Sequence, residues 1–254
     1  MRPALFLVAL VAAAASGPAA QVNTERMRRA LDGDGVVVSA DASAAFATGN
    51  TEFFQLGLGG RADARFGADL AFLVGRLDFA ETEAARFVDR SFLHARYNRR
   101  LAPRLVGEAF GQVERNRQQG LEQRYLVGGG ARVELVERDS LGLAAGVTPM
   151  LEVEVLATGL GGQQDAVARL SSYVSGRVQA ASGVAVSAVA YVQPRADVPA
   201  DLRVLSQVSL EVPLSRLVRM RVQANLRHDT RPPAGIERTD LGVENGLVLV
   251  FPAR

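Results

Sequence analysis

The stretch Val218 to Asp229, VRMRVQANLRHD, alternates apolar and polar residues almost without error. One face would carry Val218, Met220, Val222, Ala224 and Leu226, and the other Arg219, Arg221, Gln223, Asn225, Arg227 and Asp229. Strand side chains point alternately to opposite faces, so the pattern predicts a strand between an apolar and a polar medium. The stretch is also long, because globular strands usually run about five or six residues and a tilted membrane-crossing strand needs roughly 9–11.

The same pattern recurs along the chain and predicts twelve strands. They cover residues 36–48, 52–64, 68–79, 90–100, 105–115, 122–136, 140–154, 166–179, 184–193, 203–212, 218–228 and 239–251. Short connections at residues 65–68, 100–104, 137–139, 180–183 and 213–217 alternate with longer ones at 80–89, 116–121, 156–165, 194–202 and 230–238. Short turns on one side and long loops on the other are typical of outer-membrane barrels.

We therefore predict an all-β fold, a closed antiparallel up-and-down transmembrane β-barrel of about twelve strands. An unpaired backbone group in hydrocarbon costs several kcal/mol, so a sheet there must close on itself. An even strand number places both termini on the periplasmic side. The alternatives are a secreted β-sandwich and a soluble barrel of the lipocalin type, whose charged face would meet solvent outside an apolar core.

The first residues have the composition of a secretory signal. Residues 1–20 contain an apolar run, Ala4 to Ala15, that is too short to span a membrane, followed by small residues suited to cleavage. The alternative is an uncleaved anchor. Residues 21–34 then form a short periplasmic helix, a segment tucked into the barrel mouth or a frayed tail. Residues 35–254 form the barrel, and the expected location is the outer membrane.

The composition excludes several classes of site. The chain has no cysteine, which excludes disulfides, thiolate metal sites and a lipid-modified N-terminal cysteine. Its 29 basic residues, all arginine, nearly balance 27 acidic ones and alternate with them along strands. A nucleic-acid-binding protein would have clustered basic charge, so we expect no nucleic-acid partner. We also expect no cofactor and no metal.

The polar faces of the strands predict a lumenal charge network. It consists of Arg61, Arg96, Arg124, Arg132, Arg169, Arg177, Arg203, Arg219, Arg221, Arg227, Asp41, Asp63, Glu108, Glu122, Glu134, Glu152, Glu154, Glu211 and Glu244. Buried charges need partners, and signs this evenly mixed predict ion pairs across strands. An anion-selective pore would instead have a ring of one sign. Twelve strands allow either a narrow channel or a filled interior.

Two other features invite a catalytic interpretation. His94 shares its face with Arg96, and His228 precedes Asp229, although neighbours on a strand point apart and form no dyad. A structural histidine is the better interpretation, and we predict no enzyme. The run Gly128–Gly130 lacks the following helix of a phosphate loop, so it predicts a bend or a close lumenal contact.

Several motifs resemble one family across essentially the whole mature chain. They are Thr48–Thr51, Gln119–Leu121 with Arg124 and Gly128–Gly130, Asp201–Arg203, and the most specific segment, Asp229–Asp240. The chain is similar to the salt-induced outer-membrane protein family, a group of unknown function, and the resemblance implies an outer-membrane barrel without a known substrate. Glu244, Gly246, Leu249 and Phe251 also resemble the terminal sorting signal, which implies contact with the barrel-assembly machinery, although three residues follow Phe251.

We expect a monomer, surrounded by outer-membrane lipid, with a role in envelope structure or narrow passive permeation. The alternatives are a lipid- or peptide-acting outer-membrane enzyme and a surface interaction protein. The latter would use loop arginines to meet lipid phosphates, namely Arg86, Arg90, Arg115, Arg117 and Arg231. The segment with Asp229, Pro232, Pro233, Gly235, Glu237 and Asp240 predicts an ordered outer loop that folds over the mouth as a lid.

Overall fold

The computed structural model describes residues 33–47, 53–82, 86–162 and 166–252, which form twelve β-strands and two short 3-10 helices. The strands are β1 Gly35–Ala47, β2 Phe53–Phe66, β3 Asp69–Glu81, β4 Arg86–Ala102, β5 Leu105–Asn116, β6 Leu121–Glu137, β7 Leu141–Leu156, β8 Val167–Gln179, β9 Ala185–Pro194, β10 Leu202–Pro213, β11 Val218–Asp229 and β12 Thr239–Pro252. The helices are Arg117–Gln119 and Thr158–Leu160. Among these residues, no helix is long and apolar enough to cross a membrane.

The strands close into one antiparallel barrel. Each strand pairs with its sequence neighbours, and β1 pairs with β12. The predicted fold class is therefore confirmed. The largest difference in strand bounds is at β4, which begins at Arg86 because Glu81 pairs with Arg86 and Phe79 with Asp89. This longer hairpin shortens the predicted connection of residues 80–89 to residues 82–85.

The polar residues of the strands point inward and the apolar residues point outward. Strand β9 alternates strictly between buried and exposed positions along almost its whole length. Outward Val127 and Val174 are 59 % and 52 % exposed, whereas inward Arg124 and Arg169 are 7 % and 4 % exposed. A wall of exposed valine and leucine around a polar interior is the arrangement expected in lipid, where the apolar side chains meet hydrocarbon.

The third strand differs from the clearly alternating strands because its sequence is nearly apolar on both faces. In the structure, inward Leu70, Phe72 and Val74 are buried inside the barrel, while outward Leu73 and Leu77 are 46 % and 58 % exposed. Both faces are apolar because one faces the surroundings of the barrel and the other packs in its interior.

The two ends of the barrel differ. At one end, called the turn end, short turns join the strands. Strand β1 begins and strand β12 ends there. There the Asp34 carboxylate accepts a hydrogen bond of 2.7 Å from the Gly67 N–H. The other end, called the loop end, carries the connections 117–120, 157–166, 195–201 and 230–238. The predicted signal peptide and most of the predicted periplasmic segment lie outside the described residues, as does the first hairpin loop.

The facing of β11 gives a stability prediction. Val222 is 36 % exposed on the outer wall and pairs with Leu210 of β10. Val222→Arg places a charge in the apolar band and should destabilise the folded barrel in lipid vesicles by about 2–4 kcal/mol. Urea titration followed by circular dichroism measures the change, with Val222→Leu as the control. An arginine variant as stable as wild type would show that this face does not meet hydrocarbon.

Candidate functional site in the barrel interior

The inward side chains that the structure describes include three groups of ion pairs, an apolar layer around His94, and a further apolar cluster of Tyr173, Val189, Tyr191 and Leu205. The loop-end network comprises Glu114, Arg124, Glu152, Glu154, Arg169, Asp201, Arg203, Arg227 and Asp229. The turn-end network comprises Arg61, Asp63, Arg96, Glu108, Arg132 and Glu134. The seam network, beside the β1–β12 junction, comprises Asp41, Arg76, Asp78, Arg90, Glu211, Arg219, Arg221 and Glu244. The apolar layer comprises Phe72, Phe92, Phe110, Leu126 and Met150 around His94.

Arg203 is the centre of the loop-end network. Its Nη1 donates to Glu152 at 2.7 Å, its Nη2 lies 2.9 Å from Glu154, and its Nε donates to Asp229 at 2.8 Å. Arg124 approaches the same Glu154 to 2.5 Å. Because charges removed from water need opposite charges nearby, this arrangement holds β6, β7, β10 and β11 in one relative position at the loop end.

Arg169 attaches the β9–β10 loop to the same network. Its Nη2 lies 2.9 Å from the Asp201 carboxylate and its Nε lies 3.3 Å from Glu152. Its Nη1 also donates to the backbone carbonyls of Gln193 and Asp201. The loop-end connection after β9 is therefore bound to the interior through a side chain of β8.

Gln119, in the β5–β6 connection, joins the interior to the last loop. Its Oε1 accepts a hydrogen bond from Arg227 and its Nε2 donates to Asp240 at 3.1 Å. Gln119 is only 8 % exposed. The helix that carries it ends at Gly120, whose φ of +64° favours glycine.

The loop between β11 and β12 lies over the loop-end network. The Asp229 N–H donates to the Arg238 carbonyl at 2.8 Å, and the Asp229 carboxylate accepts from the Arg231 N–H at 2.9 Å. Gly235 has a φ of +80°, as a turn at this position requires. Pro232, Pro233 and Glu237 line a cavity of about 20 Å³ whose other walls include Arg124, Arg203 and Arg227. The loop is thus folded onto the mouth of the barrel.

The apolar layer separates the loop-end and turn-end networks. His94 is fully buried within it, and its ring stacks against Phe72, Phe92 and Phe110 at centroid distances of 6.0, 6.1 and 5.5 Å. Its Nδ1 lies 3.0 Å from the Gln112 Oε1. This is the structural role predicted for the residue. The layer also fills the bore at mid-height along β3 to β7.

Glu108 organises the turn-end network. Its carboxylate accepts a hydrogen bond of 2.7 Å from the Tyr173 hydroxyl and lies 3.7 Å from Arg96 and 3.9 Å from Arg132. Arg132 also pairs with Glu134 of its own strand at 3.0 Å. Residues two apart on a strand share a face, so a single strand can supply both partners.

Inward glycines make room for large side chains. A Cβ at Gly128 would lie 2.7 Å from the Phe110 ring, and one at Gly146 would overlap the Tyr173 ring. A Cβ at Gly59 would lie 2.5 Å from the Asp41 carboxylate. Gly128 therefore makes the close lumenal contact that its mid-strand position predicted.

The seam network connects strands that do not pair with each other. From β3, Arg76 reaches Glu244 of β12 at 2.9 Å and Asp41 of β1 at 3.3 Å. From β11, Arg221 reaches Asp41 at 3.6 Å and Glu211 at 3.3 Å. The Arg76–Glu244 and Arg221–Asp41 pairs cross the junction at which the barrel closes.

The seam network is the part of the interior most accessible to water. The side chains of Arg219, Glu244 and Asp41 are 36 %, 28 % and 24 % exposed. By contrast, Arg169 and Glu152 of the loop-end network are 3 % and 4 % exposed. Water therefore reaches the lumen beside Asp41, Arg219 and Glu244, whereas Arg90 and Asp78 of the same network are 7 % and 8 % exposed.

A cavity opens into the barrel at the turn end. It has a volume of about 130 Å³, and Arg132, Glu134 and Arg177 are among the side chains that line it. Arg177 donates to Gln179 at 2.6 Å and is half-buried. The interior is thus open to water at the turn end and along one wall.

The structure places every predicted lumenal charge in these networks or in the turn-end cavity, except Glu122. Glu122 is 39 % exposed and lies 3.3 Å from Arg115 and 3.8 Å from Arg117. The prediction was wrong because a bulge between Leu121 and Gln123 shifts the alternation, so Leu121 points inward instead.

The loop arginines proposed for surface contacts also need a correction. Arg90 is 7 % exposed and pairs with Asp78 at 3.3 Å, since β4 begins earlier than predicted. Arg115 and Arg117 share Asp89 and Glu122 as partners.

The interior residues absent from the predicted site include Arg76, Asp78, Glu114 and Gln119. Arg76 and Asp78 share the inward face of β3 with Val74. They were missed because the apolar residues on that face obscured the alternation of polar and apolar positions. Glu114 follows Glu108 and Gln112 at even spacing, which was the signal that could have identified it. Gln119 lies in a loop, where periodicity carries no information.

Neither histidine has the partners of a hydrolytic site. His94 contacts Gln112, and the His228 Nδ1 lies 2.8 Å from the Thr239 hydroxyl. Asp229, next to His228 in sequence, instead binds Arg203. Within the part of the chain that the structure describes, no group of three or more His, Cys, Asp or Glu side chains is placed to hold a metal ion.

Comparison with known families gives one match. The model of the family described as "Protein of unknown function, DUF481" matches residues 40–251, which is most of the chain. Comparison with curated proteins gives no match.

The solved structures similar to this chain include two porins and an autotransporter domain. The NanC porin is 7 % identical with a TM-score of 0.52, covering 84 % of this chain and 98 % of its own. The KdgM porin in complex with disordered oligogalacturonate is 10 % identical with a TM-score of 0.46, covering 85 % and 99 %. The translocator domain of the autotransporter NalP from Neisseria meningitidis is 13 % identical with a TM-score of 0.48, covering 88 % and 90 %. At such identities, the likeness to NanC shows the fold alone.

The loop-end network gives a second stability prediction. Arg203→Gln leaves Glu152, Glu154 and Asp229 without their shared cation, and breaking a buried pair costs about 3–5 kcal/mol. Urea titration in vesicles should show this loss. Arg99→Gln is the control, because the Arg99 side chain is 58 % exposed, pairs with Asp69 at 3.6 Å near the turn end, and should leave stability unchanged. Equal stability of the two variants would mean that the network contributes nothing to the fold.

Proposed function

The chain belongs to the DUF481 family, and we propose that it is an outer-membrane barrel that lets small polar solutes cross passively by a narrow path. The path follows the wall that carries the seam network. The observation that supports it most directly is the partial exposure of Asp41, Arg219 and Glu244 in an interior that is otherwise closely packed. We also propose that the chain belongs to the narrower salt-induced group and that its signal peptide is cleaved.

The geometry limits the size of the solute. The apolar layer and the loop-end network occupy much of the bore, and the loop of residues 230–238 lies over the mouth. Only water, ions and small polar molecules would fit beside the seam network. This restricts the proposal to narrow permeation and excludes a wide, water-filled pore.

The lining of the path predicts weak ion selectivity. Arg76, Arg90, Arg219 and Arg221 face Asp41, Asp78, Glu211 and Glu244. Selective anion or cation pores use rings of a single sign. Equal numbers of both signs on one wall favour neither anions nor cations.

A purely structural role in the envelope is the second candidate. The observation that favours it is the burial of nearly all inward side chains from β4 to β10, including His94 and Glu108. A barrel filled in this way resembles the small filled barrels rather than open porins. We do not propose an enzyme, given the partners of His94 and His228.

Planar-bilayer recording on the refolded protein tests the proposal. We expect small, well-defined current steps and a reversal potential near zero in a salt gradient, because the path is narrow and its charges balance. Silent insertion, verified by a folded band on an unheated gel, would contradict permeation and leave the structural role.

A charge variant locates the path. Arg219→Glu should shift the reversal potential toward cation selectivity, because Arg219 is 36 % exposed inside the turn end. Arg216→Glu makes the same charge change in the exposed turn that precedes β11, outside the lumen, and should shift it far less. Equal shifts from both variants would place the current elsewhere.

The loop over the mouth gives a further prediction. Deleting residues 232–237 should raise conductance or small-solute uptake without preventing assembly, because these residues lie over the cavity beside Arg203 and Arg227. A variant that replaces the six residues with glycine and serine keeps the loop length and should give an intermediate conductance. Unchanged permeability with intact folding would show that the loop is a connector and not a lid.

A further inference from the structure

The junction between β1 and β12 is hydrogen-bonded over only part of its length. Pairing begins at Val37 with Pro252 and stops at Ala42 with Leu247. Beyond that point, residues 43–47 of β1 pair with β2 and residues 239–246 of β12 pair with β11. Within the described chain, these two edges do not pair with each other or with a third strand.

The unpaired edges lie on the loop-end half of the barrel wall, inside the apolar band. Leu241, Val243 and Leu247 of β12 point outward and are 65 %, 55 % and 50 % exposed. An unpaired backbone group in hydrocarbon costs several kcal/mol, and barrels normally abolish their edges. Open edges at this position therefore require an occupant or a function.

The outer surface beside these edges carries small residues on β1 and one polar residue on β12. On β1, the outward residues Ala42 and Ala44 replace the valine and leucine of other strands. On β12, Asn245 points outward and is exposed between Val243 and Leu247. If the observed register continued, Ala44 would lie opposite Asn245. The wall therefore has small side chains on its β1 side, and one polar side chain on its β12 side, at the point where it is not hydrogen-bonded.

Directly behind the unpaired edges lies the seam network. Arg76 contacts both edge strands, through Glu244 of β12 and Asp41 of β1. Gly57 and Gly59 of β2 leave room for these inward side chains, because a Cβ at Gly57 would lie 2.6 Å from the Ser43 hydroxyl and one at Gly59 would lie 2.5 Å from the Asp41 carboxylate. Arg76 thus joins the unpaired part of β12, at Glu244, to the paired part of β1, at Asp41.

We propose that this part of the junction is a lateral opening through which the headgroup of a bilayer phospholipid enters the seam network. A molecule that arrives from the hydrocarbon must carry an apolar tail, and the charges behind the opening require a polar head. The guanidinium groups of Arg76 and Arg221 suit a phosphate, and the carboxylates of Asp41 and Glu244 suit an amine. This mixed lining matches a zwitterionic headgroup, whose acyl chains would stay in the membrane.

The ion pairs of Arg76 act as the latch of this opening. In the closed arrangement, Arg76 holds Glu244 and Asp41 at 2.9 and 3.3 Å. A headgroup phosphate would bind the Arg76 guanidinium in place of these carboxylates. The lateral opening is a separate property from axial permeation. A barrel that conducts no ions can have it, and a barrel that conducts ions can lack it.

The absence of cysteine in the chain permits a direct test. Ser43→Cys places a thiol on the inward face beside the unpaired edge, and Arg177→Cys places one in the turn-end cavity, whose walls are fully paired. Each folded variant is incubated in phosphatidylcholine vesicles that contain a phosphatidylethanolamine with a maleimide on its headgroup. A second sample of each receives a water-soluble maleimide.

We expect both thiols to react with the soluble reagent and only the thiol at position 43 to react with the lipid. Equal lipid modification at both positions would mean that the headgroup enters through the barrel ends, which overturns the lateral route. A thiol at position 43 that the lipid reagent does not modify overturns it as well, whatever the soluble reagent does.

The latch is tested in the Ser43→Cys background. Glu244→Gln should raise the rate of lipid modification about fivefold, the factor that corresponds to roughly 1 kcal/mol, because it releases Arg76 from β12 and leaves both phosphate-binding arginines in place. Glu134→Gln is the matched control, because Glu134 pairs with Arg132 of its own strand at 3.0 Å, away from the junction, and should not change the rate. If Glu244→Gln does not fold, Asp41→Asn removes the contact of Arg76 with β1. An unchanged or lower rate would overturn the latch.

Discussion

Backbone hydrogen bonds have no substitute inside hydrocarbon, and this constraint shapes the whole molecule. It requires the twelve strands to close, and closure sends one face of every strand into an enclosed space. The polar face goes inward because the apolar face meets lipid. The charges that arrive in the interior must then find partners, and the interior becomes a set of ion-pair networks around one apolar layer.

These networks differ in their access to water, and the proposed permeation path follows the most accessible network. Around Arg203 the charges are almost completely buried, and they hold four strands and the last loop together. Around Arg76 the same residue types remain partly exposed. The reason is local, since the wall there is built of small residues such as Gly57, Gly59 and Ala44 and is not fully hydrogen-bonded. Both proposed routes, axial and lateral, use this side of the barrel.

The strand pattern could be predicted from the sequence because alternation between lipid and lumen is a local property of each strand. Val218 to Asp229 became β11 with the predicted facing, and strand bounds differ by a few residues. Glu122 was misplaced because a bulge changes facing without changing composition. The unpaired part of the β1–β12 junction could not be predicted, since pairing between the first and last strands depends on contacts about two hundred residues apart.

The residues that make up the interior networks were harder to predict from the sequence than the face on which each strand residue lies. Arg76 and Asp78 were missed because β3 is apolar on both faces, and the inward phenylalanine and valine of that strand pack around His94. Gln119 was missed because its role comes from two partners, Arg227 and Asp240, on other elements. Partnerships of this kind follow from register around the barrel and not from any one segment.

Water enters the lumen more readily along the seam side than beside β10. Thiol accessibility at two inward glutamines on adjacent strands tests it most directly. Gln223 of β11 is half-buried, whereas Gln207 of β10 is 2 % exposed. With a charged, membrane-impermeant methanethiosulfonate reagent, Gln223→Cys should react at least tenfold faster (roughly 1.4 kcal/mol) than Gln207→Cys. Equal rates at the two positions would contradict the account.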